Sequence, residues 1–484
     1  MSIALAACLL LAAAGLPGEV PITTGSPEAL QFFRAGREKA LDFKNPEAAA
    51  LFKKALEQDP QFPQALAWLG KISPGLEGLE QVERALKLAA PLSAPERKTI
   101  ELILAERKGE DEQARRLKRE LADLAPDDWL AQFQLGVQSF YDHKSQAAIL
   151  YLNKTIQLNP RAAEAYNYLG YVLAQQGQHE EGLQAVKKFV ELKPQEPNSY
   201  DSLGEVLLIA GRYDQAEEAF ARSAQMEKDN WMSWIGVAYA RFLRGNWIGG
   251  REAAEKSKQR IGRASDRLAV DLTLAWSWLA EGKEGPALQA LDAIEKDAQA
   301  RKNDFGWAWA AFERAEMLEE LGHGLEAMKQ LEQARARADQ GRLSGSEQSR
   351  LRRAGLVLQA RIGARGESPR DAEQALARLQ EELKAAPSNA DLRGMVHYAQ
   401  GLSALAHGDR RAAIASFSRC PETDYRCRLD LVLAQARAGD AGAADESRGK
   451  LLRANVRDNI HRGEDPAYLY VSARLKAAGP LAGR

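Results

Sequence analysis

The chain has 484 residues, too many for one ordinary globular core, so several domains or a repeat array are expected. Lys and Arg total 66 against 67 for Asp and Glu, a net charge of -1, which leaves no surplus positive charge to drive general nucleic-acid binding. Ala, Leu, Glu, Gln, Arg and Lys dominate and β-branched residues are sparse, so local propensity favours helix nearly throughout.

The first element is an apolar leader. Residues 3–16, IALAACLLLAAAGL, run for 14 residues, shorter than a membrane span and of the length of a secretory apolar core, although no Lys or Arg precedes them. Leu5-Ala6-Ala7-Cys8 resembles a bacterial lipobox, which would make Cys8 a lipidation site. The expectation is a bacterial protein in the periplasm or attached to a membrane through its N-terminus. The alternatives are the remnant of a transmembrane segment and an ordinary apolar N-terminal helix of a cytoplasmic protein. Residues 17–28, PGEVPITTGSPE, read as linker and helix start, so 1–28 is leader and linker.

Self-similarity then dominates. Leu135-Gly136, Leu169-Gly170 and Leu203-Gly204 lie 34 residues apart, and Gly177 with Gly211, Tyr166 with Tyr200, and Pro126, Pro160 and Pro194 keep that interval. The stretch 197–230 carries the fullest set: Tyr200, Leu203, Gly204, Leu207, Gly211, Tyr213, Ala216 and Phe220. Small residues such as Gly204 and Ala216 let two helices approach, and Leu203, Leu207 and Phe220 fill the space around them. Gly211 falls where a helix must stop and turn, and Pro194 ends the helix before it.

This pattern resembles the tetratricopeptide repeat family. The resemblance implies an all-α, right-handed superhelical solenoid of antiparallel helix pairs, A and B. Counting outward gives about 11–12 repeats between residues 29 and 456: an N-terminal array over 29–265, a more degenerate one over 266–456, and a capping helix and tail over 457–484. Such a solenoid buries its apolar surface between neighbours and leaves an extended concave face.

In the resembled family, ligands lie along helix A. The corresponding positions here hold Phe33 and Arg37; Phe133, Phe140 and Tyr141; Asn167, Tyr171 and Gln175; Asp201 and Glu205; and Tyr239 and Phe242. Aromatic side chains offer much contact area for little lost flexibility, so the set reads as a peptide-binding groove with apolar anchors. Aromatics at helical spacing serve packing equally well, and neighbouring turns can cover them. The Lys and Asn clamp with which chaperone-binding members hold a terminal carboxylate is missing from these positions.

Trp276 with Trp278 and Trp307 with Trp309 form two W-x-W pairs; residues two apart do not share a helix face, so one of each fills a junction and the other faces groove or solvent. Cys420 and Cys427 fall at the end of one helix B and the start of the next helix A, where they can meet: a disulfide in an exported chain, two buried thiols in a cytoplasmic one. No phosphate loop, H-E-x-x-H or G-x-S-x-G appears, and no metal-ligand spacing. The expected function is therefore non-enzymatic, without cofactor or metal: a scaffold that binds a protein or peptide partner, with no nucleic acid, and helps assemble or regulate a bacterial envelope complex. The alternatives are a non-catalytic partner of an enzyme and a self-associating structural protein.

Overall fold

The computed structural model describes residues 18–478 except 43, 367, 388, 422, 423 and 454–466; Cys8 and its lipobox-like stretch lie outside the described residues. Within them the chain is an all-α solenoid of paired antiparallel helices, 25 in number among the described residues. Contacts gather these helices into two compact units, Met1–Gln176 with Gln184–Leu192, and Gly177–Leu183 with Lys193–Arg484.

The first unit contains the pairs α1 (Pro27–Leu41) and α2 (Asn45–Gln58), α3 (Pro63–Ile72) and α4 (Gly75–Lys87), α5 (Ala94–Lys108) and α6 (Asp111–Leu124), and α7 (Trp129–Tyr141) and α8 (Ser145–Leu158). It continues with α9 (Ala163–Gln175) and most of α10 (His179–Leu192). The helix starts are written in the sequence. The Ser26 hydroxyl accepts the Ala29 N–H at 3.1 Å, and Pro27 suits the first helical position because it has no N–H to leave unpaired. Glu96, in the first turn of α5, accepts both the N–H and the hydroxyl of Ser93, at 3.0 and 2.7 Å. Asp128 caps α7 by accepting the Ala131 N–H at 2.7 Å. Aromatic rings fill the first junctions: Phe33 lies 5.7 Å from Phe52 and 5.1 Å from Phe62, centre to centre. Further along, Leu102, Leu117, Leu121 and Leu135 form a second cluster, and Leu152, Leu169 and Val172 a third.

The second unit holds α11 (Pro197–Ile209) with α12 (Tyr213–Met226), α13 (Trp231–Leu243) with α14 (Trp247–Lys258), α15 (Ala264–Ala280) with α16 (Glu284–Ala300), and α17 (Asp304–Glu320) with α18 (Gly324–Gln340). Then come α19 (Gly345–Ala364) with α20 (Pro369–Ala385), α21 (Ala390–Ala406) with α22 (Arg410–Phe417), α23 (Tyr425–Arg437) with α24 (Ala441–Arg453), and α25 (Tyr468–Ala478). The Phe220 ring explains two of the glycines. A Cβ on Gly204 would come within 2.8 Å of it and one on Gly236 within 2.6 Å, so the ring is wedged between two backbones and is 1% exposed. Gly211 ends α11 at φ 73°, where the Arg212 N–H reaches back to the Leu207 carbonyl at 2.8 Å.

Helix length changes within this unit. α11 to α14 have 12 to 14 residues, whereas α15 to α18 have 17 each. α25 folds back to pack on α13, α15, α23 and α24, burying Tyr468, Leu469, Val471 and Leu475. Cys420, just after α22, is joined by a disulfide to Cys427 in α23. Among the described residues no helix is long and apolar enough to cross a membrane.

Candidate functional site

The linker at residues 18–26 runs extended across the first helices of four successive repeats. Its burial alternates: Val20, Ile22 and Thr24 are half-buried, and Pro21, Thr23 and Gly25 are exposed. That is the two-residue period of a strand. Ile22 packs on the cluster around Phe33 and Trp68, and Val20 on the one around Leu121 and Leu135.

Backbone groups make most of its polar contacts. The Val20 N–H donates to Asp128 Oδ2 at 2.7 Å, the Thr23 N–H to Glu96 Oε1 at 2.7 Å, and the Gly25 N–H to Asp59 Oδ2 at 3.2 Å. Gln64 Nε2 donates to the Pro21 carbonyl at 3.1 Å and to Glu96 Oε1 at 3.2 Å. Two side chains of the segment are also held. Glu19 accepts from the Trp129 indole at 2.6 Å and pairs with Arg37 at 3.5 Å, and the Thr24 hydroxyl donates to Asp59 at 2.6 Å.

Each of the three acids divides its oxygens between two tasks. Asp59 Oδ1 accepts the Gln61 N–H, Glu96 Oε2 caps at Ser93, and Asp128 Oδ1 caps α7, while the second oxygen of each takes the segment. Burial pushes the Asp128 carboxyl above its ordinary value, and the N–H groups of Val20 and Ala131 offset this only in part. A gap of about 30 Å³, room for a water, remains between the segment and a wall that includes Phe33, Arg37, Trp68 and Thr99.

The residues expected to line a groove divide by burial. Phe33 (1% exposed) packs in the core at the edge of this seat, and Arg37 takes Glu19. Phe133, Phe140 and Tyr141 come together on α7 with Tyr168 of α9, the Tyr168 ring lying 5.9, 5.4 and 6.2 Å from theirs. Tyr141 is 58% exposed in that group. Gln175 is exposed, whereas Asn167 and Tyr171 are buried. In the second unit Asp201, which accepts the Ser233 hydroxyl, and Glu205, Tyr239 and Phe242 are all buried. Tyr239 and Phe242 meet edge to face at 6.4 Å. Sequence reasoning did not single out Asp59, Gln64, Glu96, Asp128, Trp129 or Tyr168.

The second unit has a charged and aromatic centre. Trp276 and Trp309 point inward, and their indole N–H groups both donate to Glu313, at 2.7 and 2.8 Å. Trp278 and Trp307 are partly exposed, with Arg251 3.4 Å above one ring and Arg337 4.7 Å above the other. Nearby, Glu316, Glu319 and Glu320 of α17 meet Arg361 of α19 and Arg426 of α23 in a buried ion-pair network, with Arg365 and Arg474 at its edge. Glu316, Glu319 and Glu320 each face an arginine and Glu313 takes two indoles, so the centre reads as packing. Among the described residues no group of three His, Cys, Asp or Glu side chains is placed to hold a metal.

A family model described as tetratricopeptide repeat matches residues 140–197 and 202–265. No curated protein matches the chain. Solved structures similar to parts of it include PilW, a type IV pilus biogenesis factor, at 18% identity over 43% of this chain and 93% of that one, with a TM-score of 0.37. MamA is similar at 20% identity over 33% and 93%, TM-score 0.30. A tetratricopeptide repeat protein from Parabacteroides merdae is similar at 14% identity over 55% and 92%, TM-score 0.35.

Proposed function

We propose that this chain, a member of the tetratricopeptide-repeat family, is a non-catalytic scaffold that holds an extended segment of a partner protein on the helix-A face of its first unit, in service of a bacterial envelope complex. One observation carries the reading: α3, α5 and the start of α7, with Asp59 between α2 and α3, already hold residues 18–25 as a bound peptide would be held. Acceptors aimed at backbone N–H groups bind an extended chain whatever its side chains, and alternate side chains supply selectivity. The aromatic group of Phe133, Phe140, Tyr141 and Tyr168 continues the same helix-A side and suits an apolar anchor. The Cys420–Cys427 disulfide supports an oxidising compartment outside the cytoplasm, and the apolar leader supports a route to it.

The test is affinity capture from the envelope fraction of the native organism. The unaltered chain is compared with a Gln64→Ala, Glu96→Ala chain whose helical content is checked by circular dichroism. Loss of a defined membrane-associated partner supports the reading. An unchanged set of partners refutes it.

A further inference from the structure

Residues 18–25 are joined directly to α1 through the Ser26 cap, so whatever they occupy they occupy as a tethered ligand. We propose that they are a built-in occupant that closes the peptide seat of the first unit. The partner segment that replaces them is extended and carries an acidic residue followed, one and three positions later, by β-branched apolar residues. This rests on the reading of that face as a peptide seat.

Three features support an occupant over a fixed part of the core. First, the segment's own carbonyl and N–H groups meet side chains rather than the backbone of any helix or strand. Four such contacts, through Asp128, Gln64, Glu96 and Asp59, are open to any extended chain. Second, half of its residues face outward, and the apolar hold reduces to Val20 and Ile22, both half-buried. A stretch with few buried apolar contacts opens at low cost. Third, the side-chain contacts state what is selected. Glu19 lies between the Arg37 guanidinium and the Trp129 indole, a pairing that rewards a carboxylate, while Val20 and Ile22 lean on two apolar clusters. Pro21 stands at an outward position where its missing N–H costs nothing, and its fixed φ favours the extended form.

A tethered occupant has an effective concentration on the order of millimolar, so it excludes free peptides that bind more weakly than that. The partner must therefore bind more tightly, or gain extra hold on the neighbouring aromatic group.

The experiment titrates a fluorescent peptide, Gly-Glu-Val-Pro-Ile-Thr-Thr-Gly, against three full chains: the unaltered one, a Val20→Asp, Ile22→Asp chain, and that chain with Gln64→Ala and Glu96→Ala added. Circular dichroism checks that all three fold. The doubly substituted chain is expected to bind the peptide at least about tenfold more tightly than the unaltered one, and the further substitutions to abolish the gain. Equal binding by the first two chains, or a gain that survives loss of Gln64 and Glu96, overturns the proposal. Should the substituted chains unfold, hydrogen exchange on the unaltered chain decides. Peptide raised above the roughly millimolar effective concentration of the tether must speed exchange of the Val20 and Thr23 amides, and unchanged protection at that excess overturns the idea. If the opened chain takes up the peptide but captures no partner from the envelope fraction, the gate stands and the scaffold reading falls. Capture by both chains alike, with no gain in peptide binding, does the reverse.

Discussion

Glu96→Ala tests whether one carboxylate holds both a helix end and the segment laid across it. Glu96 is 1% exposed; one oxygen accepts from Ser93 and the other from Thr23 and Gln64. Loss of the cap costs about 1 kcal/mol. Hydrogen bonds to a charged group contribute about 1.5 to 3 kcal/mol each, with the low end apt for Thr23, whose residue is exposed and can turn to water. With the Thr23 and Gln64 bonds both at that low end, the summed loss is about 4 kcal/mol, and in a repeat array it falls locally rather than on the whole chain. Hydrogen exchange read by mass spectrometry is therefore the assay. Amides in 18–26 and in 90–97 should exchange about tenfold or more faster, since 1.4 kcal/mol corresponds to a factor of ten. Repeats from α9 onward should not change. Glu96→Gln keeps the shape but not the charge and should give a smaller effect in both segments. Faster exchange at 90–97 with full protection at 18–26 would show that the carboxylate caps α5 but does not hold the segment, and the reasoning would fail.

Two further outcomes follow from the charged groups. Arg361→Met leaves Glu319 and Glu320 buried without their central counter-charge, and should destabilise the second unit by about 3 to 5 kcal/mol, measured by urea unfolding. Burial pushes the Glu106 carboxyl up, but Lys71 and Lys118, each 3.0 Å away, overrule it and hold the group below its ordinary value. Its contribution is present above the unfolded glutamate value of about 4.3 and is lost as pH falls through the folded one. Unfolding of α5 and α6, followed by exchange between pH 6 and 3, should lose part of its acid sensitivity in Glu106→Gln.

The helix pairs were legible because close packing leaves a mark in the sequence. Gly204 must face Phe220 and Gly211 must turn, so both recur at the repeat interval. The marks fade after residue 266 for a physical reason. Gly282 and Gly322 stand 40 residues apart rather than 34, because α15 to α18 are about one turn longer than the helices before them. The division within each W-x-W pair also follows from helical geometry, with Trp276 and Trp309 inside and Trp278 and Trp307 against arginines. The seat was not legible. A helix-A position is the same in sequence whether its side chain faces a groove or a neighbour, which is why Tyr239 and Phe133 looked alike and differ in burial. The segment 18–26 is rich in Pro, Thr and Gly, as linkers are, and its alternation is too short to stand out. Asp59, Glu96 and Asp128 look like ordinary turn and cap acids, and they are also that.

This double use bears on how the face selects a partner. The three acids come from successive junctions between repeats, and the segment meets them at residues 25, 23 and 20. The two steps, of two and three residues, cover about 7 and 10 Å of extended chain, near the distance between packed helices, so stacking the repeats sets acceptors within reach of a strand. Those acids cannot vary freely, because each change also unties a turn or a helix start. They supply general hold on a backbone. Selection falls instead to groups with no part in capping: the apolar clusters under Val20 and Ile22, and Arg37 with the indole N–H of Trp129, which together take the Glu19 carboxylate. An array built this way keeps its grip on extended chain while the partner's alternate side chains decide its identity.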